Sequence, residues 1–144
     1  MALEMPAIHR AIARCVSARS EIQAAYLFGS TATGRVRPDS DIDIAVLLTR
    51  APDAKRALDY RLKLMTDLGA AFHRPDVDVV VLNEAPLLLA HRVLSTGTLV
   101  FARSAAARVR FQVRIAAMYA DLVPMYETRI RYLKKHVRQG RLGG

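Results

Sequence analysis

Two aspartates, Asp41 and Asp43, stand one residue apart at the head of the apolar run DIDIAVLL (41–48). In a strand successive side chains alternate, so Asp41 and Asp43 project from one face while Ile42, Ile44, Val46 and Leu48 project from the other. Two carboxylates one pleat apart repel each other unless a cation neutralises them. Paired hard oxygen ligands of this kind suit Mg²⁺, and two such ions can brace an in-line phosphoryl displacement. Upstream, Gly29 and Ser30 close a second apolar run, IQAAYLF (22–28). Gly29 lets backbone approach a ligand closely, and a helical turn starting at Ser30 would aim its free N–H groups and its hydroxyl at phosphate oxygens. The pattern reads as a phosphate cradle beside a metal site; neither GxxxxGK[ST] nor GxGxxG occurs.

The elements that must hold these residues follow from periodicity. Ile8, Ala11, Ile12, Cys15 and Val16 share one side of a helix over 5–19, with Pro6 in its first turn. Strands at 22–28 and 41–48 then flank the polar segment STATGRVRPDS, in which Ser40 caps the turn. Leu58, Leu62, Met65 and Leu68 predict a helix over 53–72 packed on a sheet. A third strand follows at 76–82, then a helix from about Glu84 to Gly97 capped by Asn83, then a short strand at 98–101. From Ser104 to Arg138 a stripe of Phe111, Ile115, Met118, Leu122, Met125 or Tyr126, Ile130, Leu133 and Val137 is helical, and Pro124 is expected to divide it into two pieces. The order predicts an α/β (α+β) fold with a mixed central sheet flanked by helices and with C-terminal helices.

Composition narrows the function classes. With 144 residues and 52% hydrophobic content the chain forms one domain and is not disordered. The longest apolar runs, 44–48 and 86–90, are far shorter than a bilayer span, and the N-terminus does not read as a secretory signal, so a cytoplasmic location without membrane association is expected. The single cysteine, Cys15, excludes an internal disulfide and lies at core spacing. His9, His73, His91 and His136 lack metal-ligand spacing. The net charge of +9 is uneven: residues 1–102 carry 12 Lys plus Arg against 11 Asp plus Glu, residues 103–144 carry 10 against 2. A basic C-terminal block suits an anionic partner, either nucleic acid or an acidic protein surface, or is a solvated helix face.

Gly29-Ser30, ten intervening residues, then Asp41-x-Asp43 resembles the GSx10DxD motif of the polymerase-β-like nucleotidyltransferases. The resemblance implies a third carboxylate on a neighbouring strand, and Asp78 in DVDVVVLNEAP is the matching position; Asp76 shares its face but lies at the strand edge after Pro75. The short length, LNEAP after the third strand and the FQVR…YADLVPMYE helical end are similar to the minimal nucleotidyltransferases of the MntA type, antitoxins paired with HEPN-domain toxins. That likeness implies transfer of AMP from ATP to a tyrosine hydroxyl of an RNase toxin. It implies metal ligation by Asp41, Asp43 and Asp78, with two Mg²⁺ ions, ATP as substrate, and a HEPN-domain toxin as hetero-oligomeric partner. Asp78 would also help take the hydroxyl proton, and Ser30 would bind the β- or γ-phosphate beside Gly29. Thr31 and Thr33 stand where the family often has a bulky or basic residue and an arginine, and Arg35 and Arg37 are the candidates to supply the missing positive charge.

Residues 1–102 are read as the nucleotidyltransferase domain and 103–144 as its basic helical extension. Two other readings remain open. A small-molecule nucleotidyltransferase, such as one acting on aminoglycosides, resembles the same head but needs more chain to hold its acceptor. A non-catalytic antitoxin or RNA-binding module could use the basic C-terminus, but Tyr119, Tyr126 and Tyr132 do not form a stacking platform on a sheet, so direct nucleic-acid binding is not expected.

Overall fold

A computed structural model describes residues 4–29 and 41–140. Helix α1 (Met5–Ser17) leads to β1 (Ile22–Phe28) and β2 (Ile42–Leu48), followed by α2 (Ala54–Phe72) and β3 (Val77–Val81). A 3₁₀ turn (Leu82–Glu84) precedes α3 (Leu87–Thr96), β4 (Thr98–Ala102) and α4 (Ala105–Arg138). The strands lie in the order β3-β2-β1-β4, with β1 antiparallel to β2 and β4, and β3 parallel to β2. The sheet is mixed and helix-flanked, as the element order predicts.

Both sheet faces are covered. Ile22, Ala25, Leu27, Ile42, Ile44, Val46, Val77, Val79 and Val81 pack with Ile8, Ile12 and Val16 of α1 and with Leu64, Leu68 and Phe72 of α2. The opposite face buries Ala24, Tyr26, Ala45 and Leu47 beneath Ala90 and Val93 of α3 and Phe111 and Ile115 of α4. The face that bears Asp43 is therefore polar only at its end: two residues on, Ala45 is already buried under α3 and α4.

Three expectations need correction. In α2 the inward face is Ala57, Leu64, Leu68 and Phe72, while Leu58 and Leu62 are about half exposed. The helix carries leucines around most of its girth, and small Ala57 holds the inward position that a size-weighted reading gives to Leu58. Asn83 caps no helix. Its Oδ1 accepts from Leu48 N at 2.8 Å and its Nδ2 donates to Leu48 O at 2.9 Å, fastening the start of the 3₁₀ turn to the end of β2. Finally, α4 is one helix of 34 residues that runs through Pro124. Proline removes only the bond to the Ala120 carbonyl, and both residues are exposed, so the loss falls on the solvent side of the helix rather than in the core.

Capping fixes the other boundaries. Asp53 accepts from Arg56 N at 2.8 Å ahead of α2, and Ser104 accepts from Ala107 N at 3.1 Å ahead of α4. His73 ends α2 in the left-handed conformation (φ 54°). The rings of His91 in α3 and Tyr119 in α4 stack at 3.5 Å, tying the two helices of the second face together.

Candidate active site

The site begins where β1 ends. Phe28 faces Asp43 across the antiparallel pair, and Asp43 in turn faces Asp78 across the parallel pair. Register thus sets the carboxylates of Asp43 and Asp78 on adjacent strands at the same level of the sheet. Asp41, exposed, immediately precedes β2, one pleat before Asp43. Asp43 is partly buried, and its carboxyl is pushed above the ordinary carboxylate range, first by that burial and then by the charges of Asp78 and Asp41.

Gly29 closes the other side. Its φ of +71° lies in the left-handed region, and a Cβ added there would fall 2.5 Å from Asp43 Oδ2. Glycine at this position therefore answers two requirements: the backbone must turn with positive φ, and the carboxylate of Asp43 fills the space of the missing side chain. Ser30 and Arg35, the other two residues expected to bind nucleotide, lie outside the described residues, as do Thr31, Thr33, Arg37 and Ser40.

One participant escapes sequence reasoning. Arg61, on α2, donates from Nε to the Val79 carbonyl at 2.7 Å and brings Nη2 to 3.7 Å from Asp78 Oδ1. Asp78 Oδ1 also accepts from Val79 N at 3.0 Å, so this carboxylate is oriented from its own strand and from the helix behind it. Its side chain remains 52% exposed and open to a ligand. Nothing but the position of Arg61 three residues before Leu64 on the inward side of α2 marks it in the sequence.

Asp76 is otherwise engaged. Arg74 binds both of its oxygens, with Nε to Oδ1 at 2.9 Å, and this pairing holds the Asp76 carboxyl below its ordinary value. Among the described residues no three His, Cys, Asp or Glu side chains close into a ready-made metal cage. Mg²⁺ does not require one, because it is commonly held by one or two carboxylates together with substrate phosphates and retained waters. The donor set, hard carboxylates gathered at a strand end with mutual repulsion expressed at Asp43, fits that ion.

A strand-end carboxylate pair faced by a third on a parallel neighbour, beside a glycine turn, is an arrangement suited to nucleotidyl transfer. The family model "Polymerase beta, Nucleotidyltransferase" matches residues 10–106, and the chain belongs to that family. Within it, the chain is similar to the protein adenylyltransferase MntA of Shewanella oneidensis, at 32% identity over 102 residues that make up 71% of this chain and 69% of the relative. It also resembles a solved toxin–antitoxin structure with AMP-PNP (TM-score 0.73, 28% identity, 88% of this chain and 98% of that one). A third likeness is to the complex of a tri-AMPylated S. oneidensis HEPN toxin with its MNT antitoxin (TM-score 0.67, 26% identity, 88% and 96%). No helix among the described residues is long and apolar enough to cross a membrane.

Proposed function

We propose that the chain is a Mg²⁺-dependent protein adenylyltransferase that transfers AMP from ATP to a hydroxyl, that of a tyrosine, on a HEPN-type RNase toxin and thereby acts as its antitoxin. The observation that carries the reading is the register of Asp43 opposite Asp78 with Asp41 one pleat away. Similarity to MntA, and to complexes holding an ATP analogue and an AMPylated toxin, supports the choice of donor and acceptor.

In this reading the acceptor oxygen bonds to the α-phosphorus of ATP, the bond from that phosphorus to the bridging oxygen breaks, and pyrophosphate leaves. The hydroxyl proton passes to the Asp78 carboxylate, which its half-exposed position leaves accessible. Asp41, Asp43 and Asp78 would hold the Mg²⁺ ions, which when bound neutralise the triphosphate and the developing charge. Gly29, having no side chain, leaves free the volume taken by the Asp43 carboxylate, and Ser30 and Arg35 would bind the phosphates. Arg61 fixes the Asp78 side chain through Val79. Little covalent work falls to the protein; positioning and charge supply the acceleration.

The test is intact mass spectrometry of the adjacent-gene product after incubation with this protein, ATP and Mg²⁺. A gain in whole AMP units with the wild type and none with Asp41→Asn is expected. A stable complex without any gain would replace the enzyme by an antitoxin that acts through contact alone.

A further inference from the structure

The proximal half of α4 is held by the rest of the chain: Phe111 and Ile115 are its buried residues, and Tyr119 stacks on His91 of α3. The face they occupy continues outward at spacings of three and four through Met118, part-buried Leu122, Met125 or Tyr126, Ile130, Leu133 and Val137, all of which except Leu122 are 44–69% exposed. From Met118 to Arg138 the helix extends about 30 Å at 1.5 Å per residue, with an apolar stripe far larger than scattered surface residues explain. Its remaining surface is basic: Arg129, Arg131, Lys134, Lys135 and Arg138 crowd the last three turns, against Asp121 and Glu127 as the acids of the helix.

We propose that the distal half of α4, about residues 118–138, is a docking helix whose apolar stripe enters a groove on an acidic helical surface of the protein partner. This rests on the adenylyltransferase reading, which makes that partner the HEPN toxin. Charge decides between occupants. A second copy would lay one strongly basic helix along another, so like charges would line the seam, whereas an acidic partner neutralises them. The similar solved structures are themselves toxin–antitoxin complexes, and this chain aligns with 96–98% of the chains concerned. RNA would use the arginines and lysines but leave the apolar stripe in water. A docked helix would hold the acceptor chain while the carboxylates, on the sheet, carry out the transfer.

The experiment uses the full chain and the adjacent-gene product, with binding measured by calorimetry and AMP transfer by steady-state kinetics. One variant is Ile130→Asp with Leu133→Asp; the other is Arg131→Glu with Lys135→Glu. All four positions are exposed, so helix content and AMP-PNP binding stay as in the wild type. The apolar variant is expected to bind at least about a hundredfold more weakly, with KM raised and kcat kept, because it removes anchors that contribute equally before and during the reaction. The charge variant should bind about tenfold more weakly and with a shallower dependence on salt. Wild-type binding by the apolar variant, with AMP transfer intact, would overturn the docking helix and leave the enzyme reading standing. A wild-type dimer that the apolar variant turns into monomer would assign the stripe to a second copy. RNA binding lost only in the charge variant, with toxin binding unchanged in both, would assign the helix to RNA. Neither complex nor transfer with the wild type would bring down the enzyme reading, and the docking helix with it.

Discussion

Gly29→Ala separates what the fold needs at this turn from what the site needs. A methyl group placed at φ +71° costs about 1–2 kcal/mol, the ordinary penalty for an L-residue in the left-handed region. The same carbon would lie 2.5 Å from Asp43 Oδ2, where unstrained contact begins at about 3.4 Å, so the oxygen must retreat by about 0.9 Å. That retreat is cheap for folding, because the obstructed atom is the end of a rotatable side chain. It is expensive for catalysis, since a misplacement of about 1 Å at a reacting centre can cost on the order of a hundredfold. The variant is therefore expected to melt about 3–8 °C below wild type and to transfer AMP about a hundredfold more slowly. Differential scanning calorimetry and an AMP-transfer assay read the two effects independently. Full activity in Gly29→Ala would refute the coupling of this glycine to the carboxylate.

Other predictions follow from the same contacts. Asp43→Asn should abolish transfer without unfolding the chain. Because burial and the charges of Asp78 and Asp41 raise its carboxyl, the folded state binds that proton more tightly than the unfolded state. In metal-free buffer stability then falls as pH rises from the usual carboxylate value through the raised one, so Asp43→Asn should match or exceed wild type at pH 7 and lose that advantage in acid, as urea titrations at the two pH values would show. Asp76, lowered by Arg74, has the opposite sign: its contribution is present at neutral pH and is lost as pH falls through its depressed value, so Asp76→Asn should be less stable at pH 7 and equal to wild type in strong acid. Asn83→Ala, by stripping both backbone partners of Leu48, should cost about 1–3 kcal/mol in equilibrium unfolding with no primary effect on chemistry. Arg61→Met should cost a similar amount, about 1.5–3 kcal/mol, through its charged hydrogen bond to the Val79 carbonyl, and should lower kcat by loosening Asp78.

The strands and the carboxylates were legible in the sequence because alternation and the two-residue spacing of Asp41 and Asp43 are local properties. Asp78 came through resemblance, and its register opposite Asp43 could not be read locally, since parallel pairing is set by a crossover through α2. The phase of α2 was misread for a related reason: leucines on two sides leave the inward face to be chosen by the sheet, which selects Ala57 and Leu64 and rejects Leu58 and Leu62. Asn83 has the composition of a cap, but tertiary contact with Leu48 outweighs local capping. At Pro124 the local rule was sound in predicting a lost hydrogen bond but not a broken helix, because the loss falls on an exposed stretch of α4. The contact between Gly29 and Asp43 had a faint signal, a glycine ending the strand that faces the acid pair.

In the proposed reaction this chain moves the α-phosphorus of ATP onto a protein hydroxyl. Incubating it with Mg²⁺ and the adjacent-gene product, using ATP radiolabelled in parallel at the α- or the γ-phosphorus, tests that claim most directly. Label on the acceptor from α-labelled ATP only, absent with Asp43→Asn, is the predicted result. Label from γ-labelled ATP, or none from either, would contradict it.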